Sequence, residues 1–192
     1  MRSITQIKNL KGKTALVRVD FNVPIRKGKI LDDFRIKKAM PTIKFLQKKG
    51  AKIILISHLG KESGQTLKPV ADYIAKLPKN FLSGGIRFLG QKEGRSARNF
   101  QEAELILLEN LRLNRGEENN SSEFAKRLAK LGDFYVNDAF PVCHREHASI
   151  VGVPKYLPSY AGFQLESEVK NLKLAEHPAH PFLFILGGAK FE

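Results

Sequence analysis

The chain has 192 residues, 42% of them hydrophobic and 27% charged, which suits one buried core with the start of a second domain. Its 33 Lys and Arg against 19 Asp and Glu leave a net charge of +14, an excess that points to an anionic partner, whether phosphate metabolite, nucleic acid or membrane. The lone Cys143 excludes an intrachain disulfide, the N-terminus lacks an apolar signal region, and no apolar run approaches the roughly 18 residues of a membrane helix, so a soluble, cytoplasmic protein without a membrane partner is expected.

An apolar run at 14–19 reads as a strand that delivers Asp20, Phe21 and Asn22. Asp32 and Asp33 are placed to cap a helical turn reaching Ala39, and Pro41 to open a separate helix over 41–49 that Gly50 stops. A second strand, 52–56, ends on Ser57-His-Leu-Gly-Lys61. Thr66 then caps a helix with Leu67, Val70, Ile74 and Leu77 at core-facing spacing, closed by Pro78. A short strand at 85–89 precedes a polar, Gly-containing loop over 90–99, and the run 105–108 leads to Glu109-Asn-Leu-Arg112. Ser121 or Ser122 caps a helix through Leu131 whose core stripe is Phe124, Leu128 and Leu131, with Gly132 as its stop. The run 134–136 feeds Asn137-Asp138 and then His144-Arg145. A helix over 166–176, with Leu165, Val169, Leu172 and Leu174 apolar, ends at His177-Pro-Ala-His-Pro181, and 182–186 reads as a fresh buried strand entering Gly187-Gly-Ala-Lys190.

This order, β-α-β-α-β-β-α-β, predicts an α/β fold: a doubly wound parallel sheet with helices on both faces, a Rossmann-like three-layer α/β/α arrangement. Parallel strands put their carboxyl ends on one sheet edge, where open α/β sheets bind ligands. Cationic side chains converging there predict a small, highly anionic substrate. Arg112 and Arg145 each follow a buried-type strand, and the planar guanidinium suits phosphate or carboxylate. Their purely structural reading is a salt bridge with Glu109 or Glu146. Taken singly, Arg35 reads as helix surface, His58 as a core histidine, and Asp20 and Asn22 as turn formers before Pro24. Their shared edge is what makes them candidates. Neither a P-loop nor a dinucleotide fingerprint occurs, and His144-x-x-His147 beside Cys143 is too sparse for zinc, so no metal ligands are assigned.

Several motifs, in order, closely resemble those of phosphoglycerate kinase. They are Val17-Arg-Val-Asp-Phe-Asn-Val-Pro24, Arg35-Ile36 with Pro41-Thr-Ile43, Ser57-His-Leu-Gly60, Leu108-Glu-Asn-Leu-Arg112, Tyr135-Val-Asn-Asp-Ala-Phe140, Ala161-Gly162 and Gly187-Gly-Ala-Lys190. The resemblance implies reversible phosphoryl transfer between ATP/ADP, with Mg²⁺, and 3-phosphoglycerate/1,3-bisphosphoglycerate in glycolysis. It implies a division into an N-terminal 3-phosphoglycerate-binding domain (1–163), an interdomain helix and linker (164–181), and the first strand and glycine loop of an otherwise missing nucleotide-binding domain (182–192). On the family's pattern Asp20 and Asn22 hold the substrate's hydroxyl region, Arg35 grips the carboxylate and helps neutralise the transferring group, and His58, Arg112 and Arg145 hold the substrate phosphate. Gly187, Gly188 and Lys190 would meet the nucleotide, Lys190 near the transferred phosphoryl.

There are departures from the family's pattern. Lys61 stands where the family usually has Arg, which turns a bidentate phosphate contact into a single-point one. Pro141-Val142-Cys143 replaces a Gly-Thr-Ala type stretch, and Gln164-Leu-Glu-Ser167 replaces a lysine-rich helix start. The chain ends at Glu192, before the family's second catalytic lysine, so this half is expected to be inactive by itself. Two readings from other classes stand beside the kinase: a basic polyanion or nucleic-acid binder, motivated by the charge but without interleaved aromatics or a recognised module, and a metabolite-binding module without chemistry.

Overall fold

All five residues of β1 (Thr14–Arg18) are buried, as befits a strand covered on both faces. It pairs in parallel with β4 (Lys52–Ile56) on one side and β7 (Phe134–Asn137) on the other. Beyond β4 come β6 (Leu105–Leu108) and β5 (Ile86–Leu89), and beyond β7 comes β8 (Ser159–Ala161). The strand order is β5-β6-β4-β1-β7-β8, every pairing parallel. In this computed structural model the described residues are 1–60, 65–78, 82, 84–91, 105–176, 178–183 and 185.

Alternate residues of the central strands serve opposite faces, as the strand's period of two dictates. Val17, Ile53, Leu55, Leu105 and Leu107 pack with Ile36, Ile43 and Leu46 of α1 (Phe34–Lys48) and Val70 and Ile74 of α2 (Lys68–Ala75). Leu16, Ile54, Ile56, Ile106 and Leu108 pack instead with Phe124 and Leu128 of α4 (Ser122–Ala129), which follows the short α3 (Arg115–Glu118). The result is the expected three-layer α/β/α sandwich. Each fully buried Ile or Leu stabilises it by about 1.5–3 kcal/mol.

The two helices expected around Pro41 are one. α1 runs from Phe34 to Lys48 with Pro41 inside it. The missing Pro41 N–H costs roughly 3 kcal/mol, but a break would forfeit a stripe of seven buried residues that includes Ile36, Met40, Ile43 and Leu46. Pro41 itself is exposed. α2 begins one residue later than a Thr66 cap implies, after Leu67, yet Thr66 Oγ1 still accepts from the Lys68 N–H at 3.1 Å. Ser121 is the cap of α4, its hydroxyl accepting from the Phe124 N–H.

The last helix, α5 (Phe163–Leu174), starts earlier than expected because its free N–H groups find acceptors in the body of the domain. Phe163 N donates to Thr42 Oγ1 at 3.0 Å, and Gln164 N and Leu165 N donate to Asp138 Oδ1 at 2.8 and 3.3 Å. Of its apolar residues only Leu165 is buried, and Leu172 and Leu174 are exposed. The strand expected over 182–186 is not formed at Phe182, Leu183 or Ile185, all exposed. No strand among the described residues lies beside them to supply a ladder. Residues 184 and 186 lie outside the described residues, as do His177, Gly187, Gly188 and Lys190 and, apart from Gly90 and Gln91, the 90–99 loop.

Besides short 3-10 and π-helical turns, a hairpin, α3 and the edge strand β8 have no counterpart in the sequence reading. The hairpin pairs β2 (Ile25–Arg26) with β3 (Lys29–Ile30), turned by Lys27 and Gly28 at positive φ.

Candidate active site

The carboxyl ends of β1, β4, β6 and β7 release the chain at one edge, and Asp20 and Asn22, His58, Arg112 and Arg145 follow those strands in turn. Asp20, almost fully buried just past β1, accepts from Arg35 Nη1 at 2.6 Å. Arg35 is 45% exposed, so the surface reading of its position holds, but its head is held over the sheet edge by a buried carboxylate. Asn22 Oδ1 accepts from the Gly60 N–H at 2.9 Å, tying the loop after β1 to the loop after β4. Phe21 N donates to Ser57 Oγ at 2.9 Å and reinforces the same tie.

Arg112 follows β6 in a short 3-10 turn (Leu111–Leu113) and donates from Nη1 to the Gly60 carbonyl. Its side chain is only 7% exposed. Nε lies 3.3 Å from Glu118 Oε1 but makes no hydrogen bond. Glu109, the salt-bridge partner considered from sequence, is occupied elsewhere: it accepts from Thr66 Oγ1, Leu67 N and Asn110 N at 2.7–2.9 Å. The loops are locked by Asn110, which is buried and fully satisfied. Its Oδ1 accepts from Leu59 N and Arg112 N, and its Nδ2 donates to the Leu59 and Gln65 carbonyls.

Arg145 is exposed after the turn Phe140–Val142, its N–H donating to the Val142 carbonyl at 3.0 Å. It forms no ion pair with Glu146 among the described residues. The Pro141 departure is absorbed: proline occupies an early position of that 3-10 turn, where its fixed φ is favourable. Arg145 lies near enough to Arg112 and His58 that its charge disfavours protonation of both.

His58 is 3% exposed. Burial first, then the charges of Arg18 and Arg112, with His147 and Arg145 adding to them, push its pKa down to about 2. It is therefore a neutral imidazole in the ligand-free protein, a hydrogen-bonding group and not a third positive charge.

The residue missed from sequence is Arg18, wholly buried at the end of β1. Nη1 donates to the Val19 carbonyl at 2.6 Å, Nε to Ser149 Oγ at 3.0 Å, and Nη2 faces His58 Nδ1 at 3.1 Å. A charge inside an otherwise apolar strand was the available signal. Ser149 in turn meets Glu117, also wholly buried, through its hydroxyl and through its N–H at 2.9 Å. Lys61 lies outside the described residues, immediately after Gly60.

Residues 4–192 match the family model for phosphoglycerate kinase. The chain belongs to the phosphoglycerate kinase family. It is 48% identical over 188 residues to a phosphoglycerate kinase of Dictyoglomus turgidum, with 95% of this chain and 48% of that protein covered. It is 44% identical over 200 residues to one of Borrelia garinii, covering 99% and 50%. Among solved structures, the phosphoglycerate kinase of Coxiella burnetii superposes with a TM-score of 0.80 at 37% identity, over 93% of this chain and 46% of that one. The Pyrococcus horikoshii phosphoglycerate kinase gives 0.81 at 31% identity, over 92% and 46%. The chain thus spans about half the length of the phosphoglycerate kinases it matches. Within its described residues no helix is long and apolar enough to cross a membrane.

Proposed function

We propose that this chain is the acceptor-binding half of a phosphoglycerate kinase, taking 3-phosphoglycerate or 1,3-bisphosphoglycerate at the sheet edge for phosphoryl exchange with ATP/ADP. The observation that carries the reading is the convergence of Arg35, His58, Arg112 and Arg145 from four separate elements on one edge, in a family whose relatives are phosphoglycerate kinases. Arg112 and Arg145, with the neutral His58 as donor, suit a phosphate. Arg35, preset by Asp20, suits the carboxylate, and Asp20 and Asn22 suit the hydroxyl.

The acceptor carboxylate, with a pKa of roughly 4, is already an anionic nucleophile at neutral pH, so no general base is required. What the protein must supply is position and charge neutralisation. The nucleotide supplies the transferred phosphoryl group. Gly187, Gly188 and Lys190 are the residues of this chain assigned to it, and they lie outside the described residues. Among those that are described, no group of three or more His, Cys, Asp or Glu could hold Mg²⁺. On this reading 1–163 form the acceptor domain, 164–181 the interdomain helix and linker, and 182–192 the entry to the nucleotide domain, in a cytoplasmic enzyme.

Titration calorimetry with 3-phosphoglycerate tests the proposal. A charge-assisted contact is worth roughly 1.5–3 kcal/mol, so Arg112→Ala and Arg145→Ala should each weaken binding about tenfold or more. Equal affinity in the wild type and both variants would exclude this site. Steep salt dependence without stereospecific metabolite binding would favour the polyanion reading instead.

A further inference from the structure

We propose that Glu117 is a positioning residue for the phosphate end of the site: through Ser149 it holds Arg18, and through Arg18 it fixes which nitrogen of His58 carries the proton. The role at that end rests on the function proposed above. The relay itself stands on geometry alone.

Glu117 is on α3, Ser149 in the π-helical turn Ala148–Gly152, Arg18 at the end of β1 and His58 just past β4. All four are buried, three of them completely. Both Glu117 oxygens are engaged by Ser149, Oε2 by its N–H and Oε1 by its hydroxyl. A hydroxyl that donates to Glu117 keeps its lone pairs for Arg18 Nε, which donates to it at 3.0 Å. Tyr135 donates to the Ser149 carbonyl at 2.7 Å and fixes the serine from the other side. Arg18 is therefore held at Nε and Nη1, with Nη2 left for His58 Nδ1.

A guanidinium only donates, so Nδ1 must accept and the ring proton must sit on Nε2. On the function proposed above, Nε2 is then the nitrogen left to donate to a phosphate oxygen. The opposite tautomer would present a lone pair to the anion. Glu117 also lies 3.8 Å from His147 Nδ1 and supplies a buried negative charge beside the Arg18 cation. A buried cation stripped of such a partner is strongly destabilised.

The relay predicts a sign that simple electrostatics does not. Glu117→Gln makes the surroundings one unit more positive, so a through-space effect alone would tighten 3-phosphoglycerate binding. Loss of positioning should weaken it, by about tenfold for one uncompensated buried hydrogen bond. Ser149→Ala cuts the relay without changing charge and serves if Glu117→Gln does not fold. Nitrogen-15 spectra of the ligand-free protein give an independent readout. The wild type should show His58 in one tautomer, protonated at Nε2, and the variants a mixture. A folded Ser149→Ala protein with the single His58 tautomer and wild-type affinity would overturn the inference, as would tighter binding by folded Glu117→Gln. Loss of the tautomer lock, with no 3-phosphoglycerate binding by any form, would support the relay and exclude the proposed substrate.

Discussion

Nη2 of Arg18 lies 3.1 Å from Nδ1 of His58, with both side chains shut away from solvent. A permanent donor placed against one ring nitrogen, in a buried site crowded with further cations, makes this histidine a neutral donor from its other nitrogen. On the proposed reading, the end of the site that takes the substrate phosphate is thus two arginines and a polarised imidazole, not three charges.

That burial has a consequence for stability. His58 has its pKa lowered from 6.5 to about 2, so between those values the unfolded chain binds a proton that the folded chain does not. Its contribution is present above pH 6.5 and is lost as the pH falls, at roughly 1.4 kcal/mol per unit. Asp138 acts in the opposite sense: burial raises its pKa from 3.8 to about 6, so its contribution appears as the pH falls through 6. Because of Asp138 the wild-type curve alone is ambiguous, and a comparison isolates His58. Between pH 6.5 and 5, wild type should lose about 2 kcal/mol more than His58→Gln in urea unfolding. Parallel curves would mean His58 is not buried neutral.

Gly162→Ala should destabilise the domain by about 1–3 kcal/mol. A Cβ there would come 2.3 Å from Asp138 Oδ1 and 2.8 Å from Asp138 Cβ. The carboxylate cannot swing away without releasing the N–H groups of Gln164 and Leu165. Thermal unfolding of the variant checks this, and an unchanged midpoint would show that the α5 cap is dispensable.

Asn110→Ala removes four hydrogen bonds and leaves buried backbone groups unpaired. A loss of several kcal/mol is expected, since each such group costs about 1–3 kcal/mol. Because the same side chain bonds Leu59 and Arg112, affinity for 3-phosphoglycerate should fall as well. Calorimetry below the unfolding midpoint separates the two effects.

Lys61→Arg should strengthen 3-phosphoglycerate binding, because a guanidinium fork can replace a single-point contact with a bidentate one. Lys61 follows Gly60, whose N–H is held by Asn22 and whose carbonyl receives Arg112, so the preceding backbone is already anchored in the site. Unchanged or weaker affinity would place Lys61 away from the phosphate.

Local pattern was sufficient for much of this protein. The apolar runs of β1, β4, β6 and β7 and the Ser121 cap and the stripe of Phe124 and Leu128 in α4 are encoded in neighbouring residues, although α4 ends at Ala129, short of the expected Leu131. Parallel strands must end together, so Asp20, Asn22, His58 and Arg112 could be assigned to one edge from sequence. Arg35 reached the same edge through its pair with Asp20, 15 residues away. Other features required the assembled fold. Pro41 argues for a break on local grounds, and only the buried stripe on both sides of it keeps α1 whole. β8 is three residues long and exists through pairing with β7, which no period in its own sequence announces. The Glu117–Ser149–Arg18–His58 chain joins residues 32, 131 and 40 positions apart. Arg18 stands out as a charge in an apolar strand, but neither it nor the other three names its partners, because the charge state and tautomer of a buried group are set by what the fold packs against it, and sequence carries that information only after the chain has closed.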